Sequence, residues 1–178
     1  ANPGKLNYAS LGVGNIHHLM LEALKRQTGT DMAHVPYKGY AQAIQDVLAN
    51  RAQLVSGGIG GPVIEHLRTG TLKGLAVTGT SRSPLIPNVP TFAELGLPNL
   101  QPKVHFILVG PGGMPAPLVE RINTTVARIL RTPEFQQTVL APNGLDPLGQ
   151  NAAALDAGLR RSRDAYAPLV KEVGVVLD

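Results

Sequence analysis

Cysteine and tryptophan are both absent from the 178 residues, and Tyr and Phe together number only seven. Without Cys there is no disulfide, no thiolate nucleophile and no Cys-based metal site. With so few aromatics, and with basic residues scattered rather than striped, nucleic acid is not an expected partner. Long apolar runs are missing too. The longest uncharged stretch, Phe106 to Val119, is cut by Gly110, Pro111, Gly112, Gly113, Pro115 and Pro117, well short of the roughly 18 continuous apolar residues that span a bilayer. The opening Ala1-Asn2-Pro3-Gly4-Lys5 has no basic region followed by an apolar one, so no signal-peptide pattern is expected, as in a mature secreted chain.

What is present points to a folded, water-soluble chain. Apolar residues make up 43% and charged ones 16%, which argues against wholesale disorder. Gly (20) and Pro (15) are plentiful but follow no period, so turns are many and no fibrous repeat exists. The formal charge of +4 is uneven: residues 1–103 hold nine Lys/Arg against five Asp/Glu, whereas residues 104–178 hold seven of each. The positive field of the first part favours small anions.

Strand and helix signals alternate through the first part. Strands are predicted over Leu6–Ser10, Met32–Tyr37, Gln53–Ser56 and Lys73–Thr78. A helix after Asn15 carries Ile16, Leu19, Met20, Ala23 and Leu24 at i, i+3, i+4, i+7, i+8 and stops at Thr28-Gly29-Thr30. A second starts near Tyr40, with Ala43, Ile44, Val47 and Leu48 inward. A third starts at Pro62, where a missing N–H is tolerated. This order predicts an α/β fold with a mostly parallel, helix-covered sheet.

From Ser81 to Pro102 the chain reads as an irregular, proline-rich connection with one helical pattern at Phe92–Leu95. The second part, residues 104–178, reads as one strand (Val104–Val109) and three helices. Their starts are near Pro117, at Thr132-Pro133-Glu134 and near Asn151, the last running to Val173. Three amphipathic helices and one strand are an awkward set: either the strand joins the first sheet, or its partners lie elsewhere.

Two loops could bind a ligand. In Ser10-Leu11-Gly12-Val13-Gly14-Asn15, glycines between a strand and a helix let backbone N–H groups converge beside unpaired helix-terminal donors, a place for phosphate or carboxylate. Ser10 and Asn15 could add side-chain donors. His17 stands where a dinucleotide fingerprint needs its third glycine, and no phosphate-loop Lys-Ser/Thr follows. A plain tight turn is the alternative. The second loop, Gly57-Gly58-Ile59-Gly60-Gly61, opens the backbone to close approach. Both follow strands of one sheet, so both fall at its carboxyl edge, where such sheets bind ligands.

Catalytic and metal signals are sparse. No G-x-S-x-G elbow and no paired-histidine metal spacing occur, and no cofactor is expected. His18, at the helix start, could assist an anion or cap backbone. His34 and His66 read as ordinary packed or surface residues. Glu22 and Asp46 fall off the apolar stripes and read as solvated, as does the Arg160-Arg161-Ser162-Arg163-Asp164 cluster.

The chain resembles the Bug family, the solute-binding receptors of tripartite tricarboxylate transporters. The likeness runs through Tyr8-Ala9-Ser10-Leu11-Gly12-Val13-Gly14-Asn15 with His18-Leu19, and Val35-Pro36-Tyr37-Lys38-Gly39 with Ala43 and Asp46. It continues through Gly70 to Thr78, Arg82-Ser83-Pro84, Pro87 to Thr91 and Glu94-Leu95-Gly96, then Pro115 to Pro117, Arg121-Ile122-Asn123 and Gly144 to Gly149. The resemblance implies a periplasmic, two-lobed binding protein with a carboxylate in the inter-lobe cleft. It also implies membrane transporter subunits as partners and no enzymatic activity.

The ligand-binding residues it implies are Ser10, Gly12, Val13, Gly14, Asn15, His18, Tyr37, Gly57 and Gly58. Asn15 stands where Ser or Thr is usual, Gln53 where Asp is common, His105 where Trp is frequent, and Gly57-Gly58 where many relatives carry polar side chains. The family's N-terminal part has no counterpart here, so residues 1–103 are expected to form one complete α/β lobe with its connecting segment. Residues 104–178 are expected to form the C-terminal half of the other lobe, self-associating if its helices lack partners. An enzyme acting on an anion, with His18 as general acid/base, is the competing reading.

Overall fold

A computed structural model describes residues 4–102 and 104–174. Its first six elements alternate: β1 (Leu6–Ser10), α1 (Ile16–Thr28), β2 (Met32–Pro36), α2 (Tyr40–Leu48), β3 (Leu54–Val55) and α3 (Pro62–Arg68). The three strands are parallel in the order β2-β1-β3, with Tyr8 opposite His34 on one side and Leu54 on the other. Successive residues of a strand face opposite ways. Accordingly Tyr8 belongs to a core with Met20, Leu21, Met32, Phe92 and Leu100, while Ala9 belongs to a second with Ala43 and Ala52. α1 contributes to the first core and α2 to the second, so both faces of β1 are covered.

The helices begin and end where the chemistry of their termini dictates. Asn15 caps α1 by accepting the His17 amide at 3.0 Å, leaving one fewer orphan donor in the first turn. Gly29 ends it in the left-handed region (φ 62°) and returns its N–H to the Lys25 carbonyl, the usual role of glycine after a helix. Gln53 extends the β1–β3 pairing by exchange with Asn7: its N–H donates to the Asn7 carbonyl at 2.9 Å and its Oε1 accepts the Asn7 N–H at 2.8 Å.

Two expected strands are not formed among the described residues. In Lys73–Thr78 only Val77 pairs, through a bridge to Thr91 made by its own N–H to the Pro90 carbonyl (2.9 Å) and by the Phe92 N–H to its carbonyl (3.0 Å). Its partner segment carries Pro84, Pro87 and Pro90, which have no N–H to give a ladder, and Gly74 lies too close to Val89 to carry a side chain. The expected helix at Phe92–Leu95 is a turn, closed by a reciprocal cap: the Glu94 carboxylate accepts the Thr91 N–H at 2.6 Å and the Thr91 hydroxyl accepts the Glu94 N–H at 3.1 Å. In Val104–Val109 no strand pairing exists, and Phe106, Leu108 and Val109 are 81%, 70% and 78% exposed. A strand is defined by its neighbour, and no neighbour is within the described residues.

The expected helices of the second part are present as α4 (Ala116–Leu130), a short α5 (Pro133–Phe135) running into a π turn and a 3₁₀ turn, and α6 (Ala152–Val173). Thr132 caps α5, and Asn151 caps α6 through the Ala154 amide at 2.8 Å. Contacts group the chain into two compact units, one made of residues up to Val104 with those from Pro168 on, the other of His105–Ala167. In the second unit Leu140 is the one buried apolar residue among those described, and none of the apolar stripe of α4 is buried.

Candidate functional site

The carboxyl ends of three parallel strands release three loops on one edge. The central loop, 11–15, leaves β1 with Gly12 and Gly14 in the left-handed region (φ 110° and 76°), conformations that only glycine adopts without strain. Two of its amides are spent internally: Asn15 donates to the Gly12 carbonyl at 3.3 Å and Gly14 donates to Nδ1 of His18 at 3.2 Å. The amides of Leu11, Gly12 and Val13 donate no bond among the described residues. Leu11 and Gly12 are half-buried and Val13 is exposed. Three N–H groups in a row thus have no acceptor among the described residues, beside the start of a 13-residue helix, and donors so placed can receive an oxyanion.

Several side chains expected to join them turn inward instead. Ser10 is fully buried, its hydroxyl on the Gly12 carbonyl (3.2 Å) and on Nε2 of His34 (2.7 Å). It braces the loop and presents no donor outward. With the Ser10 proton on the Gly12 carbonyl, Nε2 of His34 is the donor of that pair.

His18 is only 7% exposed, and its Nδ1 accepts the Gly14 amide. It caps backbone and holds the loop; it faces no opening as a general base would. Asn15 keeps its amide Nδ2 but spends Oδ1 on the cap. The Tyr37 hydroxyl donates to Asp46 at 2.8 Å, its N–H donates to the Ser10 carbonyl, and its ring packs on the Ala9–Ala43–Ala52 cluster. Gly57 and Gly58 sit in the loop after β3, Gly57 directly against the Tyr40 ring.

Below the central loop lies a polar column that periodicity alone did not reveal. His34 stacks on both Tyr8 (ring centroids 4.9 Å apart) and His18 (4.1 Å), and the Tyr8 and His18 rings lie 6.3 Å apart. The Tyr8 hydroxyl donates to Glu22 at 2.6 Å, and Lys25 closes on the same carboxylate oxygen at 2.7 Å. Burial, aided by the neighbouring His18, pushes His34 down to about 4, and burial lowers His18 as well. Burial raises Glu22, but the bonds from Lys25 and Tyr8 outweigh it and hold the carboxylate ionised. His34 is thus a packed residue, as expected.

Glu22 and Asp46 are corrections, being half-buried acceptors for tyrosine hydroxyls rather than solvated charges. The Asp46 carboxyl is held low by the Tyr37 hydroxyl and then by Arg51. A further bond, His17 Nδ1 to Ser56 Oγ at 2.9 Å, ties the start of α1 to the loop after β3. Apart from Glu22 with Lys25, three residues apart on α1, and Tyr8 with His34, which the strand register makes neighbours, these pairings have no sequence signature. Among the described residues no group of three His, Asp or Glu side chains could hold a metal ion, and no helix is long and apolar enough to cross a membrane.

Comparison with known proteins gives this geometry a family. Residues 1–175 match the model for the tripartite tricarboxylate transporter family receptor. Protein BugT of Bordetella pertussis is 28% identical over 99% of this chain and 54% of its own length. A "UPF0065 protein in clcB-clcD intergenic region" of Pseudomonas knackmussii is 30% identical over 89% of this chain and 94% of its own length.

Among solved structures, one described as a periplasmic transporter superposes with a TM-score of 0.89 at 30% identity. Rpa4515 of R. palustris with adipate superposes at 0.84 and 26%, and the periplasmic binding protein BugD at 0.79 and 26%. Each match covers 98–99% of this chain and 58% of the other. The chain spans about half the length of the first three curated relatives it matches. The fold is α/β and periplasmic-binding-protein-like, and the chain belongs to the tripartite tricarboxylate transporter receptor family.

Proposed function

We propose that this chain supplies one side of a solute-binding site for a small organic carboxylate, received on the Leu11, Gly12 and Val13 amides, within a periplasmic receptor that serves membrane transporter subunits. The observation that carries the reading is that row of unsatisfied donors, held open by the Gly14–His18 and Ser10–Gly12 bonds. Charge supports it: residues 1–103 carry the chain's whole net +4, and the N-terminal end of α1 adds its partial positive charge. Family membership supports it, as does the adipate in Rpa4515. Nothing in the geometry favours an enzyme with His18 as general acid/base, since that ring is buried and its Nδ1 is occupied.

Titration calorimetry against mono-, di- and tricarboxylates tests the reading. Weak but saturable binding is expected from a chain that supplies only one side of the site, with Gly12→Ala weakening it by roughly tenfold, because a side chain at φ 110° strains the loop by about 1–3 kcal/mol. Undiminished affinity in Gly12→Ala would place the ligand elsewhere.

A further inference from the structure

The loop after β3 holds an arrangement that carboxylate capture by residues 11–13 does not use. The φ of Gly57 lies outside the left-handed region, so its backbone does not demand glycine. Its neighbour does. A Cβ at position 57 would overlap the Cε2, Cζ and hydroxyl of Tyr40, whereas a Cβ at Gly58 would meet nothing within 4 Å.

The Tyr40 hydroxyl donates to the Gly58 carbonyl at 3.4 Å, and the ring is half-buried. Tyr40 opens α2 just past the end of β2, Gly57 follows β3, and β1 lies between those two strands. The loop that carries the Leu11–Val13 amides leaves the same sheet edge from β1, between the strands that precede the two loops Tyr40 joins. On the α1 side, the His17–Ser56 bond makes the matching link.

We infer that Tyr40 is a specificity-determining residue, an aromatic wall over Gly57–Gly58 that selects carboxylates with an apolar or aromatic skeleton against hydroxylated or multiply charged ones. The inference rests on the proposed carboxylate site. Glycines at 57 and 58 give no side-chain donor, the Tyr40 hydroxyl is already on a carbonyl, and among the described residues no Lys or Arg side chain bonds to residues 56–61. The face of an aromatic ring carries partial negative charge, so it welcomes C–H and π surface and repels a second carboxylate.

Calorimetry with phenylacetate and malate on the parent chain, Tyr40→Phe and Tyr40→Ala provides the test. Phenylacetate is expected to bind the parent more tightly. Tyr40→Phe is expected to keep that preference, and Tyr40→Ala to lose roughly three- to tenfold for phenylacetate with malate nearly unchanged. Gly57→Ala, which displaces the ring without altering Tyr40, is expected to lower the melting temperature and erode the same preference. An unchanged phenylacetate-to-malate ratio in both Tyr40→Ala and Gly57→Ala overturns the inference while leaving the carboxylate site standing. Absence of binding by either acid to the parent overturns both.

Discussion

Three residues set the conformation of the donor loop, and each does so from inside the protein. Ser10, His34 and His18 form a chain of bonds and stacked rings that ends on the Gly12 carbonyl and the Gly14 amide. That chain requires a neutral His18, because a protonated His18 has no lone pair to accept the Gly14 N–H. Both histidines are lowered below the ordinary value of 6.5, His34 to about 4, so the folded state takes up protons later than the unfolded one.

The stabilising contribution is complete above about pH 6.5 and is lost as pH falls toward about 4, where the unfolded chain holds more protons. Glu22, whose carboxyl is held low by its bonds from Lys25 and Tyr8 against the opposing effect of burial, and Lys25 itself are the charged groups beside the stack. The urea midpoint of the parent chain is expected to drop between pH 7 and pH 4.5 by more than that of His34→Gln; equal drops would contradict the buried-neutral assignment. Residue roles of this kind were only half legible beforehand. Sequence adjacency placed Ser10 and His18 next to the loop correctly but could not say that both face inward, because that direction depends on His34, a residue sixteen positions beyond His18 and on another strand.

At the scale of elements, the helices were legible and part of the sheet was not. α1 and α2 carry apolar residues at a 3.6 period and end at residues that favour termination, so their extents follow from local chemistry. The strand expectations held for β1, β2 and a shortened β3, where apolar runs find parallel neighbours. They failed at 73–78 and 104–109, where the same kind of run has no ladder to join.

The N-cap of α1 matters twice, once for the helix and once for the loop it terminates. Asn15→Ala leaves the His17 amide unpaired and is expected to cost about 1 kcal/mol in chemical denaturation. A cost indistinguishable from zero would mean that water serves the amide equally well.

The whole chain is uneven in how well it is packed. The first unit has two cores around β1, whereas the second, among the described residues, buries a single apolar residue and exposes Leu118 and Ile129 on α4. Phe106, Leu108 and Val109 form a contiguous exposed apolar segment beside it in sequence. Exposed surface of this kind associates in water. Light scattering is expected to show self-association that grows with concentration and weakens in the double variant Phe106→Ser, Leu108→Ser. A strict monomer at millimolar concentration would contradict that expectation.

The family pattern, spread over the length of the chain, was the most legible feature of all. Charge asymmetry between the two parts was equally visible, yet neither could indicate which loop amides remain unsatisfied. Amide NMR reads that directly. Adding a small carboxylate to the isotopically labelled chain is predicted to shift the Leu11, Gly12 and Val13 amide protons downfield in a saturable way, with smaller changes at Gly14 and Asn15, whose N–H groups are already engaged. Saturation with all three signals unmoved would contradict the account.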